Sequence, residues 1–208
     1  MMSSRFLLLL VLAALPGLAS AGTPYAAELA PGLRSRLETF AQTAGLVSRF
    51  TEHRHTPLKK KPVVVSGLVR IDHERGLSLA YDQARAPVLI LDQKGLLLRH
   101  PDGREQAPPP EAAEDLRLLR ALFAFDLDAL KNAYALAATE GTDGAWTLVF
   151  TRRPESGAAY RELTLAGDAS RLTRIVLAKT PNLRTEIELE PPQLGVRYTA
   201  EELARYFR

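Results

Sequence analysis

Residues 183–190 read LRTEIELE. Leu183, Thr185, Ile187 and Leu189 fall on one side of an extended chain, and Arg184, Glu186, Glu188 and Glu190 fall on the other. A period of two marks a strand with one apolar face and one wet face. Apolar, β-rich runs of similar length recur before it: LVSRFTEHRH from Leu46, VVVSGLVRI from Val63, GLSLAYDQ from Gly76, PVLILD from Pro87 and GLLLRH from Gly95. A second block holds YALAAT, AWTLVFTRR, YRELTLAG and RLTRIVLAK, between Tyr134 and Lys179. The connectors are short and carry turn residues: Pro57, His73–Gly76, Asp143-Gly144, Gly167-Asp168, Pro181-Asn182. Consecutive strands with short connectors make an antiparallel meander, and a sheet of about ten strands must curl or close.

Helical periodicity appears in three other places. Pro31 to Ala44 places Leu33, Leu37, Phe40, Ala41 and Ala44 on one face, with Gly45 as the stop. Pro108 to Pro110 then interrupt the meander and lead into a helix over 111–123 with Leu116, Leu119, Leu122 and Phe123 on one side. A short helix follows Asp126 with Leu127 and Leu130 inward. Near Tyr206, Thr199 and Glu202 have capping-box spacing. The expected fold is mainly β with α: an unclosed antiparallel half-barrel of about 10–11 strands with a helical lid over a hydrophobic cavity. A fully packed, sandwich-like core is the alternative that the same pattern permits.

The first 21 residues read as a secretory signal peptide: Arg5, an apolar run from Phe6 to Leu15, then Ala19-Ser20-Ala21 as a cleavage site. A retained membrane anchor is the other reading. Residues 22–208 would then form one domain, exported to the periplasm. The chain has no cysteine, so disulfides contribute nothing. Its formal net charge of +3 falls to +2 without Arg5. That near balance gives no support to nucleic-acid binding.

Chemistry by bond-making finds no candidate. No G-x-S-x-G elbow, cysteine nucleophile or phosphate-binding G-x-x-x-x-G-K motif is present. His53 and His55 share one strand face, but zinc needs three or four ligands, and His73 and His100 sit in other connectors. Asp72 and Glu74 flank His73 in what reads as a solvated turn. No enzyme activity, metal or cofactor is expected. Lys59, Lys60 and Lys61, between Pro57 and Pro62, form either a solvated turn or a contact for anionic headgroups or an acidic partner.

The order helix, meander, helical insert, meander resembles the LolA family of periplasmic lipoprotein carriers. FTEHRHTP followed by VSGLVRI is similar to the family's first strand pair. PVLILDQKGLLLRHPDGREQ resembles its strand, turn, strand, Pro and Gln signature, WTLVFTRRPES a later strand and loop, and RTEIELE its penultimate segment. The resemblance spans about Gly32 to Leu203. It implies a cavity lined by inward residues of both meanders. From the first these are Phe50, Val69, Ile71, Leu79, Tyr81, Leu89, Leu91 and Leu98. From the second they are Trp146, Leu148, Phe150, Leu163, Leu165, Ile175, Leu177, Ile187 and Leu189. It implies a lid carrying Leu33, Leu37, Phe40, Leu119, Leu122 and Phe123. In the family an arginine near the end of the second strand ties the lid shut, and Arg75 in DHERGLSL is the nearest match. The implied function is a monomeric carrier that takes an acylated cargo from an inner-membrane transporter to an outer-membrane receptor, with transient membrane contact. A lipid- or pigment-export accessory, or a lipoprotein-sensing module, would use the same fold.

Overall fold

A computed structural model describes residues 29–41, 45–107, 118, 121–122, 126–169 and 171–208. The segment read as a signal peptide lies outside the described residues, as does most of the stretch between Pro108 and Phe125. Helix α1 spans Pro31–Ala41. The first meander comprises β1 (Gly45–His55), β2 (Val63–Asp72), β3 (Gly76–Tyr81), β4 (Val88–Asp92), β5 (Gly95–Arg99) and β6 (Glu105–Gln106). A one-turn helix, α2 (Leu127–Leu130), leads into β7 (Tyr134–Glu140), β8 (Ala145–Arg152), β9 (Glu162–Asp168), β10 (Arg171–Thr180) and β11 (Leu183–Leu189). β12 (Gln193–Leu194) and helix α3 (Ala200–Tyr206) follow.

The strands form a single antiparallel sheet in the order β6-β5-β4-β3-β2-β1-β11-β10-β9-β8-β7, with β12 also on β1. β6 and β7 are its two free edges, so the half-barrel is open. The two meanders meet at one seam, where β1 pairs with β11 from Phe50↔Leu189 to His55↔Arg184. The lower end of β1 pairs instead with β12 at Leu46↔Leu194. Pro191 and Pro192 cause this break, because neither has an N–H to give the ladder. Ser48 Oγ donates to Glu190 O at 2.7 Å and holds the broken strand in place.

Two details differ from the sequence expectation. Among the described residues the sheet has twelve strands rather than about 10–11, because β6 and β12 are two-residue pieces too short to show a period. Helix α1 is described over Pro31–Ala41, residues 42–44 lie outside the described residues, and Gly45 opens β1 rather than closing the helix. Val196 N donates to Gly45 O at 3.2 Å, so this glycine already serves the sheet.

Cross-strand rows build the concave face: Ile71, Leu77 and Leu91; Val69 and Leu79; Ile187, Ile175, Leu165 and Leu148. Leu33 and Leu37 of α1, Leu130 of α2 and Leu122 are buried with them in one core. Each such side chain contributes about 1.5–3 kcal/mol by leaving water. Two aromatic residues face glycines across the strands, Phe50↔Gly67 and Trp146↔Gly167. A Cβ on Gly67 would lie 2.9 Å from the Phe50 ring, and one on Gly167 would lie 2.3 Å from the Trp146 ring. Bare backbone at these two points lets the rings lie flat on a strongly curved sheet.

The convex face is wet except over β2 to β5, where α3 docks. Ile90, Leu97 and Ser78 are buried there, and so is Phe207, just past α3. The capping box forms: Thr199 Oγ1 accepts from Glu202 N, and Glu202 Oε2 accepts from Thr199 N. Arg99 Nη1 donates to Ala204 O at 2.6 Å and Phe207 O at 2.8 Å, serving the orphan carbonyls at the helix end. Arg208 donates two hydrogen bonds of 2.6 Å to the Asp92 carboxylate. The Arg208 guanidinium holds the Asp92 carboxyl below its usual range, against the opposing effect of burial. The native state therefore binds that proton more weakly than the unfolded chain. The docking contribution is complete above the unfolded value near pH 4 and is lost as pH falls below it. Asp92→Asn should cost about 2 kcal/mol at neutral pH, and the amide protection factors of α3, which fall on acidification in the wild type, should then lose that pH dependence.

Candidate ligand-binding cavity

A cavity of about 180 Å³ opens on the concave face at the seam between the meanders. β1 to β3 contribute Phe50, Glu52, Val69, Leu79 and Tyr81; β10 and β11 contribute Leu177, Thr185, Ile187 and Leu189; Tyr160 comes from the loop before β9. Strand alternation aims these residues inward, and the Phe50 ring meets the Tyr81 ring edge-on at 5.3 Å. The lining is aliphatic and aromatic apart from one corner.

That corner is a neutralised polar cluster. Glu52 is nearly buried and accepts hydrogen bonds from Arg54 Nε at 2.7 Å, Arg54 Nη2 at 2.9 Å and Tyr81 Oη at 3.0 Å. Burial, helped by the Glu52 charge, pushes the Tyr81 hydroxyl well above its ordinary range, so it stays a donor. The hydrogen bond to Glu52 holds the Arg54 guanidinium protonated even more firmly than usual. The cluster thus presents no net charge to the cavity and no activated nucleophile. It lies toward the end of β1 from which the β1–β2 connection projects. That connection carries Leu58, 97 % exposed, beside the exposed Lys59, Lys60 and Lys61.

The residues expected in the lining separate into three groups. Phe50, Val69, Leu79, Tyr81, Leu177, Ile187 and Leu189 surround the cavity. Trp146, Leu148, Phe150, Leu163, Leu165, Ile175 and Leu91 are buried in the packed core beneath the helices. Ile71 and Leu89 pack partly buried against that core, and Leu98 is half-buried beside Gln106 near the β6 edge. Of the lid residues, Leu33, Leu37 and Leu122 are buried in the core. Leu119, Phe123 and the Phe40 side chain lie outside the described residues. Arg75 stands exposed in the β2–β3 turn, and its side chain makes no hydrogen bond or ion pair among the described residues. Glu52, Thr185 and Tyr160 were not anticipated. Glu52 and Thr185 share the inward rows of Phe50 and Ile187, and that alternation was the available signal.

Helix α1 is tied to the sheet rim by an ion pair between Arg36 and Glu140 of β7. Both side chains are about one-third exposed. Such a pair contributes under about 1 kcal/mol, little for stability but enough to bias opening. Arg36→Ala should leave the melting temperature within about 2 °C of wild type. It should speed uptake of an apolar fluorophore several-fold in stopped-flow mixing. Among the described residues, no group of three or more His, Asp or Glu side chains is placed to hold a metal ion. His55 Nε2 lies 3.2 Å from a Glu186 carboxylate oxygen, and His53 is the cross-strand partner of Glu186.

An open antiparallel half-barrel with helices on its concave face defines the class of fold. No family model and no curated protein sequence matches the chain. Solved structures do. A putative outer membrane lipoprotein-sorting protein domain from Vibrio parahaemolyticus aligns at 8 % identity over 82 % of this chain and 93 % of its own, with a TM-score of 0.46. A LolA superfamily protein from Nitrosomonas europaea aligns at 12 % identity over 84 % and 97 %, with a TM-score of 0.42. The structural neighbours therefore include LolA superfamily and lipoprotein-sorting proteins. At these identities and scores they assign no function.

Proposed function

We propose that this protein is a non-enzymatic periplasmic carrier that holds the acyl chains of a lipoprotein or similar lipid-like cargo in the seam cavity. It would receive that cargo from an inner-membrane transporter and deliver it to an outer-membrane receptor. The observation that carries the reading is the cavity itself: apolar, on the helix-covered face, with its one charged group already neutralised by Arg54. An acyl chain gains about 0.8 kcal/mol per buried methylene and asks for no directional contact. A lining of Leu, Val, Ile and Phe side chains offers such contact. The visible cavity holds only part of a long chain, so loading requires α1 to move outward over the Arg36–Glu140 pair. The exposed tip of Leu58 and Lys59 to Lys61 suits approach to a membrane, with each lysine contributing about 1 kcal/mol near an anionic surface.

The test is displacement of an apolar fluorophore from the purified protein. A palmitoylated peptide should displace it, and the same peptide without the acyl group should not. A protein that takes up neither fluorophore nor acylated peptide does not have this function.

A further inference from the structure

On the convex face, two of the arginines drawn out of water hold an anion: Arg99 meets Glu105, and Arg208 meets Asp92. Arg70 in the middle of β2 does not. It is only 9 % exposed, it forms no ion pair among the described residues, and its Nη1 is buried without an acceptor. Its guanidinium lies 3.7 Å over the Tyr206 ring of α3. Its cross-strand neighbour Ser78 is fully buried with an equally unpartnered Oγ. The acids nearby are committed. Glu202 caps α3, Asp82 receives Arg49 and Ser66, and Asp72 receives the backbone N–H groups of Glu74 and Arg75. A buried cation without a counter-charge is costly and, where it persists, points to an anion from outside the chain.

A cleft of about 560 Å³ is lined by Arg70, Arg205 and Tyr206 together with Leu68, Ala80 and Val88, and by Asp82, which is paired with Arg49. Arg205 also lies against the Tyr206 ring, at 5.3 Å, and forms no ion pair among the described residues. Two unpaired guanidinium groups around one ring match a dianion better than a carboxylate, and their planar forks match phosphate oxygens. The volume is that of a small-molecule site. We propose that this cleft binds a phosphate monoester on a small apolar or aromatic body. The phosphate sits against Arg70 and Arg205, and the body covers Leu68, Ala80 and Val88. Arg70 and Val69 point to opposite sides of β2, so Arg70 does not face the seam cavity, although Tyr81 borders both; the proposal is independent of the carrier reading.

The experiment is calorimetric titration and thermal melting of the full chain at constant ionic strength, with phenyl phosphate, inorganic phosphate and benzoate. Phenyl phosphate should bind one to one, at least tenfold tighter than either of the others, and raise the melting temperature. Arg70→Gln should weaken it at least tenfold, yet melt no earlier than wild type without ligand, since a buried unpaired charge is gone. Arg205→Gln, at an exposed position, should also weaken it and guards against a folding defect in the first variant. No binding of phenyl phosphate, equal binding of benzoate or of inorganic phosphate, or affinity unchanged in both variants would overturn the assignment. Phenyl phosphate should leave the fluorophore of the seam cavity in place, so failure here leaves the carrier reading untouched.

Discussion

Leu177→Trp should weaken binding of acylated peptide about fiftyfold while leaving a folded protein. Leu177 lies on β10 in the cavity wall, cross-strand from Thr185 of β11, which also lines the cavity. An indole there fills space that the account assigns to an acyl chain. Each methylene kept out forfeits about 0.8 kcal/mol, so excluding even three costs more than 2 kcal/mol. That is a loss of affinity of about fiftyfold, on the scale where 1.4 kcal/mol is tenfold. The added ring also shields the cavity from water, so the melting temperature should hold or rise slightly. Retained affinity in a folded Leu177→Trp protein would show that the cargo sits elsewhere.

Gly167→Ala should be the most damaging single-methyl change in the sheet. A Cβ at Gly167 would fall 2.0 Å from Arg171 O and within 2.5 Å of two atoms of the Trp146 ring. The backbone oxygen cannot yield without breaking the β9–β10 ladder, and Trp146 is only 2 % exposed in a close-packed core. Overpacking of this kind costs about 3 kcal/mol, or about 6–12 °C in melting temperature for a domain of this size. The near-ultraviolet signal of the single Trp should change with it. A variant that melts within 2 °C of wild type would mean that the ring does not rest on this glycine.

The strand alternation was legible because it depends on local periodicity alone. Thr185, Ile187 and Leu189 border the cavity as read from LRTEIELE, whereas Leu183 at the start of β11 is 39 % exposed; Glu186 on the other row meets Arg174 and His55. The open half-barrel follows from the number of strands and their short turns. What was not legible depends on contacts between distant segments. Alternation with Phe50 puts Glu52 inward, but its neutralisation by Arg54 two positions on and Tyr81 on another strand depends on the packed sheet. Docking of α3 on the convex face depends on Arg99 and Asp92 reaching residues more than 100 positions away. The division of inward residues between cavity and packed core was equally hidden. Leu33, Leu37 and Leu130 of the helices share one core with Leu148, Leu163 and Leu165, and Phe50 and Ile187 of that same core also border the cavity. Arg75 is exposed in its turn, while Arg36 ties α1 to β7 and Arg54 neutralises Glu52 at the cavity corner.

The most direct measurement is native mass spectrometry of the protein isolated from its own cells without detergent. The carrier function predicts a population heavier than the bare polypeptide by the mass of an acylated molecule. That population should shrink to the bare mass in Leu177→Trp. Bare polypeptide alone, both as isolated and after incubation with acylated peptide, would contradict it.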